Sequence, residues 1–156
     1  MAKLRIVGTE GNANGVVVEA QFNPKEIVIE KSIPWQRGKG PSDLKYVGRE
    51  PRTMSCELLF DGAASGTSIQ SEIDKLNTLS DVDIALKHPP KITVVWGPEG
   101  GGDLLPRFDA VIETLVVKYT TFDGDGKPLR ATADLKFKEA RNIMAGKIVS
   151  KGWKSR

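Results

Sequence analysis

The sequence predicts a mainly-β fold, a sandwich or barrel of about six or seven mostly antiparallel strands with one α-helix inserted near residues 68–80. Three observations predict it. Apolar residues alternate at Met54, Cys56, Leu58 and Phe60, and again at Leu129, Ala131, Ala133, Leu135 and Phe137. That period-2 pattern belongs to a strand with one buried face. Ile69, Ile73, Leu76 and Leu79 recur instead at helical spacing. Finally, Asp123-Gly124-Asp125-Gly126-Lys127-Pro128 separates two strand patterns and has the composition of a hairpin connection.

Taken in order, Val16 to Phe22 reads as a strand with Val16, Val18, Ala20 and Phe22 on one side. Glu26 to Ile33 offers Ile27, Ile29 and Ile33. Residues 34–52, with Gly38, Gly40, Gly48 and many charges, read as a long mobile loop. The alternating strand over 53–60 follows. Thr67 and Gln70 fit a capping box at the start of the helix, and Pro89-Pro90 forbids its continuation. Ile92 to Trp96 is a short continuous apolar run, fit for a central strand, and residues 97–106 form a glycine-rich connection. Arg107 to Phe122 is long and β-branched. Strict alternation puts Phe108, Ala110, Ile112 and Val116 on one face and Val111, Leu115, Val117 and Tyr119 on the other. Both faces are then partly apolar, which suits a strand covered by a neighbouring sheet or subunit. Residues 1–139 form the expected β domain and residues 140–156 a basic C-terminal extension.

Size and composition set the limits. The chain has 156 residues, enough for one domain that needs neither disulfide nor metal to stand. Nothing approaches ~18 consecutive apolar residues, and Met1-Ala2-Lys3-Leu4-Arg5 lacks a signal-peptide core. No membrane span is expected, and assembly in a cytoplasm is. From Lys136 onward seven basic residues face one acid, Glu139, giving that segment +6. The net charge of +3 then leaves −3 on residues 1–135. Such a tail suits solvent, or docking on another protein surface, better than nucleic acid.

The residues that carry chemistry are scarce. Cys56 is the single cysteine, set in a strand pattern as a small buried hydrophobe, and His88 is the single histidine, read as a loop residue near a surface turn. A thiol- and imidazole-rich zinc site cannot be built from them within one chain. Asp123 and Asp125 begin like a calcium loop, but Lys127 and Pro128 occupy the positions where a ligand and a glycine are required. Gly38-Lys39-Gly40 and Gly100-Gly101-Gly102 lack the spacing of a phosphate-cradling loop. Asp61 and Asp109 are carboxylates that nothing in the sequence singles out. No catalytic, metal or cofactor residue is therefore assigned, and no enzyme activity is expected. Aromatic residues are 6% of the chain, few for a nucleic-acid surface. A small-ligand-binding barrel, a nucleic-acid-binding barrel and a hydrolase are the rival classes.

Several segments in order resemble one family. Phe22-Asn23-Pro24-Lys25-Glu26 leads into an alternating strand and Trp35. Leu58-Leu59-Phe60-Asp61 closes a strand with an apolar pair, Phe and Asp. The helix Ile69 to Leu79, then His88-Pro89-Pro90 and Val94-Val95-Trp96-Gly97, comes next. Phe122-Asp123 through Gly126-Lys127-Pro128-Leu129-Arg130-Ala131-Thr132, with Phe137-Lys138-Glu139, completes it. Together, over about residues 16–139, these resemble the contractile injection system tube protein family, in its baseplate-proximal tube-initiator branch. The resemblance implies a tail-tube-like β domain and a hexameric ring that joins a central spike to the inner tube beside other baseplate subunits. The main inner-tube subunit or a tube-end subunit of the same particle is the alternative. The resemblance does not extend to the lysin-motif domain that many relatives carry after this region, for which the basic tail or a separate protein is the expected substitute. Asn23 and Pro24 are expected to shape a turn. Trp35, Val111, Leu115, Val117, Tyr119, Lys151 and Trp153 are the expected subunit-interface residues, and the hairpin flanking Gly124 to Pro128 is expected to pair with a neighbouring copy.

Overall fold

The computed structural model describes residues 2–63, 68–98 and 101–143. Nine strands and one helix follow one another: β1 (Lys3–Gly8), β2 (Val17–Glu19), β3 (Val28–Glu30), β4 (Trp35–Arg37), β5 (Leu44–Tyr46), β6 (Thr53–Asp61), α1 (Gln70–Ser80), β7 (Ile92–Gly97), β8 (Phe108–Phe122) and β9 (Pro128–Glu139). Seven form one sheet in the order β2-β1-β7-β8-β9-β6-β3, and β4 pairs with β5 in a separate ribbon. Every pairing is antiparallel. The mainly-β architecture with a single helix is the one expected, and the helix begins and ends within two residues of its predicted span.

The alternating patterns do in space what they promise in sequence. Met54, Cys56, Leu58 and Phe60 of β6 are buried, as are Ala131, Ala133, Leu135 and Phe137 of β9. Ile73, Leu76 and Leu79 bring α1 onto that same apolar face, where it packs on β8 and β2. The hydroxyl Oγ of Ser68 accepts the Gln70 amide at 3.2 Å at the helix start. The other half of the expected capping box, Thr67, lies outside the described residues. Beyond the helix, Asp83 is 6% exposed and accepts the amides of Asn12 (2.7 Å), Ala85 (2.9 Å) and Leu86 (3.1 Å). These bonds, the one from Asn12 foremost, hold its carboxyl below the usual carboxylate range. They also tie the post-helix turn, where His88 bridges back to Asp83, to the short 3-10 turn Gly11–Ala13.

The sheet curls. Laid flat, β2 and β6 stand five strand spacings apart, roughly 24 Å. Yet the Gln21 side chain, just past β2, donates to Asp61 O and accepts from Asp61 N, both at 2.8 Å. The main-chain ladder itself ends at β2 and β3. Asn23 plays a similar part: its Oδ1 accepts the Leu4 amide at 3.2 Å, and its Nδ2 donates to Ala2 O at 2.8 Å. The side chain thus stands in for a backbone partner of β1, rather than only shaping its own turn. Asn23→Ala leaves the Leu4 amide unpaired and is expected to cost about 1–2 kcal/mol, read by urea denaturation. Asn23→Asp, which keeps the acceptor, is expected to cost less.

Three parts of the chain depart from the expectation. β1 was not anticipated, although Leu4 and Ile6 alternate with Lys3 and Arg5 and are fully buried. The loop 34–52 is not structureless, because β4 and β5 pair Trp35 with Tyr46 and Arg37 with Leu44. Its turn is held by Gly38 N donating to Asp43 O (2.8 Å) and Gly40 N donating to the Asp43 carboxylate (3.0 Å). Third, β8 does not present two apolar faces. Its register against β9 shifts between Ile112 and Thr114, so Glu113 and Thr114 together oppose Lys136. A bulge of this kind reverses the parity of the residues after it, here as far as Tyr119, where the register shifts again. Phe108, Ala110 and Ile112 face the core before it, and Leu115 and Val117 face the core after it. Val116, expected with the first set, is exposed.

Candidate functional site

The hairpin turn between β8 and β9 shows why its aspartates are not ligands in waiting. Asp123 Oδ1 accepts the amides of Asp125 (2.8 Å) and Lys127 (2.9 Å), and Gly126 takes φ +85°, a conformation glycine adopts without cost. Asp123 therefore builds the turn. Cys56 is buried, and its thiol is pushed up to about 12, first by that burial and then by Asp134. A thiol so held is a poor nucleophile at neutral pH. Asp61 is engaged by the Ala63 amide and, at 2.9 Å, by Arg130, which keep its carboxyl low. Glu139 accepts from the Arg52 side chain (2.9 Å) and amide (3.2 Å), clamping the start of β6 to the end of β9. Each of these groups has a structural task.

What distinguishes the molecule is unused strand edge. The direction of each backbone group follows from the register. Asp61 bonds Gln21 through both N–H and C=O, while Gly62 N donates to Leu129 O. Odd residues of β6 therefore point away from β9 and even ones toward it. The odd residues of β9 then bond β6, and its even residues bond β8. Along β8 past the bulge, Thr114, Val116 and Lys118 face β9, so Leu115, Val117 and Tyr119 aim their N–H and C=O outward. β7 covers that side only from Phe108 to Ala110. Among the described residues, β8 from Val111 to Phe122 pairs with β9 alone.

A second open stretch lies on β6. β3 covers Thr53 to Ser55 and Gln21 covers Asp61. By parity the backbone groups of Glu57 and Leu59 face outward between them. A groove of about 820 Å³ lies there, walled by the segment from Phe22 to Val28 and floored by Leu59, Thr132 and Asp134.

Exposed apolar side chains gather at the ribbon. Trp35 packs edge-on against Tyr46, ring centroids 5.6 Å apart and planes at 62°, yet Trp35 remains 54% and Leu44 67% exposed. The outward face of the β8–β9 hairpin is charged in both signs: Glu113 meets Lys136 and Lys138 at 3.5 Å each, and Lys118 meets Asp134 at 3.9 Å. Exposed pairs of this kind contribute about 0–1 kcal/mol each.

The expected interface residues separate accordingly. Leu115, Val117 and Tyr119 share the core-facing side of β8, the first two half-buried, and the Tyr119 hydroxyl donates to Gln70 Oε1 at 3.2 Å. Val111, before the bulge, is half-buried on the opposite face, a correction to the single face expected for all four. Trp35 stands on the ribbon, whereas Lys151 and Trp153 lie outside the described residues. Leu44 and Tyr46 were read only as part of a loop, although Trp35 and Arg37, then Leu44 and Tyr46, alternate about a turn rich in glycine and aspartate.

Comparison with curated proteins gives no match. Among the described residues, the polar side chains named above serve turns and clamps, and stretches of β6 and β8 carry no ladder partner, a feature that invites pairing with another strand. Consistent with that, the description "contractile injection system tube protein" matches residues 1–145, and the chain belongs to that family.

Proposed function

We propose that this chain is a structural ring subunit of a contractile, phage-tail-like injection particle, and that a hexameric ring of it joins the central spike to the inner tube at the baseplate. Membership of the tube family supports the coarser part, a structural tube-type subunit within such a particle. The observation that carries the rest is the open edge of β8 from Val111 to Phe122. A long unpaired edge invites another strand, and one that meets a different edge of the next copy builds a closed ring or an open filament according to the rotation per step. The apolar ribbon around Trp35 offers a second contact, with the aromatic anchors that subunit interfaces favour.

Sedimentation velocity combined with negative-stain microscopy tests this. Concentrated protein is expected to form closed rings, and to bind spike and inner-tube protein at opposite ring faces. Stacking of the rings into long tubes without a spike would point to the main tube subunit instead. A strictly monomeric species that binds neither partner would overturn the proposal.

A further inference from the structure

The turn after α1 inverts the usual order of burial. Asp83 is buried, while its neighbours Val82 and Ile84 are 64% and 89% exposed. The three amides on the Asp83 carboxylate draw that side chain inward. Its own N–H donates to His88 O at 3.1 Å, and its C=O accepts the Lys87 amide at 2.7 Å, so the turn is closed. Two aliphatic side chains are thereby held out in solvent on a pinned backbone. An apolar anchor held in place before contact loses little freedom on binding.

The ribbon is the other place where large apolar side chains stand out. Ile84, Leu44 and Val82 are the three most exposed of them among the described residues. The register puts Trp35, Arg37, Leu44 and Tyr46 on one face of the ribbon and Gln36 and Lys45 on the other. A two-stranded ribbon is marginal in water by itself, so its uncovered apolar face calls for a cover. Both surfaces are exposed, so they do not cover each other within one copy.

Charge separates the surfaces that could receive the turn. Residues 70–88 hold four acids and two bases, a net −2 with His88 neutral, and Lys87 is the cation of the turn itself. Residues 31–50 hold five bases and two acids, a net +3. The groove on β6 is instead lined by three acids and two bases, the same sign as the turn. Among the described residues no ion pair engages Asp81 or Arg37. Arg37 stands on the apolar face of the ribbon, and Asp81 directly precedes Val82.

We infer that the turn Asp81 to His88 of one copy docks on the ribbon of the next, with Val82 and Ile84 against Leu44 and Tyr46 and Asp81 against Arg37. The two surfaces differ, so the contact is head to tail, as a ring requires. It is small, and it rests on the proposed assembly through β8 to bring the copies together, after which the second contact forms at high effective concentration.

A chain carrying both Leu44→Cys and Ile84→Cys tests the inference, oxidised at a concentration where it forms rings and run on a non-reducing gel. A ladder of covalent oligomers is expected, because each copy would be bonded to the next; wild type, whose Cys56 is buried, is expected to give none. In chains without these cysteines, Arg37→Glu and Asp81→Arg are each expected to raise the concentration needed for rings at least about tenfold, and the two together to restore it. All these positions except Arg37 and Asp81 are apolar, and all are exposed, so the monomer fold is expected to survive. Rings without a ladder would overturn the inference and leave the ring reading standing. Absence of rings from the wild-type chain would remove the ring reading and this contact with it. Dimers formed by Leu44→Cys alone in place of a ladder, or a double reversal no better than either single change, would also overturn the inference.

Discussion

Phe137→Ala is expected to lower the unfolding free energy by about 3–5 kcal/mol, read as a fall in the urea midpoint at unchanged slope. Phe137 is fully buried on β9. It lies opposite Met54 on one side and Ile112 on the other, so its ring spans three strands of the sheet. The Ile112 contact is the last pairing before the bulge at Glu113. The backbones of Met54, Phe137 and Ile112 are held in the sheet ladder on both sides, so they have little freedom to settle into the space the ring vacates. Deletions at sites that cannot collapse fall at the costly end of the range. A loss below about 1 kcal/mol would show that β8 moves inward freely and that the bulge is not a rigid junction.

The second large effect concerns assembly. Val117→Pro is expected to abolish ring formation while the monomer keeps its β circular dichroism. Val117 lies opposite Ala133 in a pair whose backbone groups point away from each other, so its amide faces the open edge. Proline there removes no bond to β9, and proline is tolerated on an edge when the lost donor faces outward. Any strand from a neighbouring copy would lose that donor and meet the proline ring. Val116 is the control. Its amide faces β9, opposite Asp134, so Val116→Pro removes a ladder bond inside the hairpin and is expected to destabilise the monomer itself. Rings that survive Val117→Pro would exclude this edge as the contact. Loss of the monomer fold in Val117→Pro would show that the half-buried side chain matters more than the edge.

Legibility followed how local the determining forces are. β6 and β9 were visible almost whole, because one face is buried along their length and the alternation records it. The helix was equally plain, since three buried residues at helical spacing face one sheet. The ribbon β4–β5 escaped because its residues are exposed, so no burial pattern marks it, and its signal lay only in the turn at Gly38 to Asp43. Strand β1 escaped because a six-residue alternation at the very start of a chain is weak evidence by itself. Val111, Leu115, Val117 and Tyr119 of β8 were read as one face, but the bulge puts Val111 on the opposite side from the other three.

That last error marks the boundary between the two kinds of information. The amino-acid sequence by itself determined a mainly-β domain with one helix and a hairpin turn at Asp123 to Pro128, because burial and turn geometry are written residue by residue. Only the tertiary structure decided where parity reverses in β8, which edges stay open, and how Gln21 and Asn23 stand in for missing strands. Those depend on register between distant segments, and a single extra residue opposite Lys136 redirects the side chains and backbone groups beyond it as far as Tyr119, where the register shifts again.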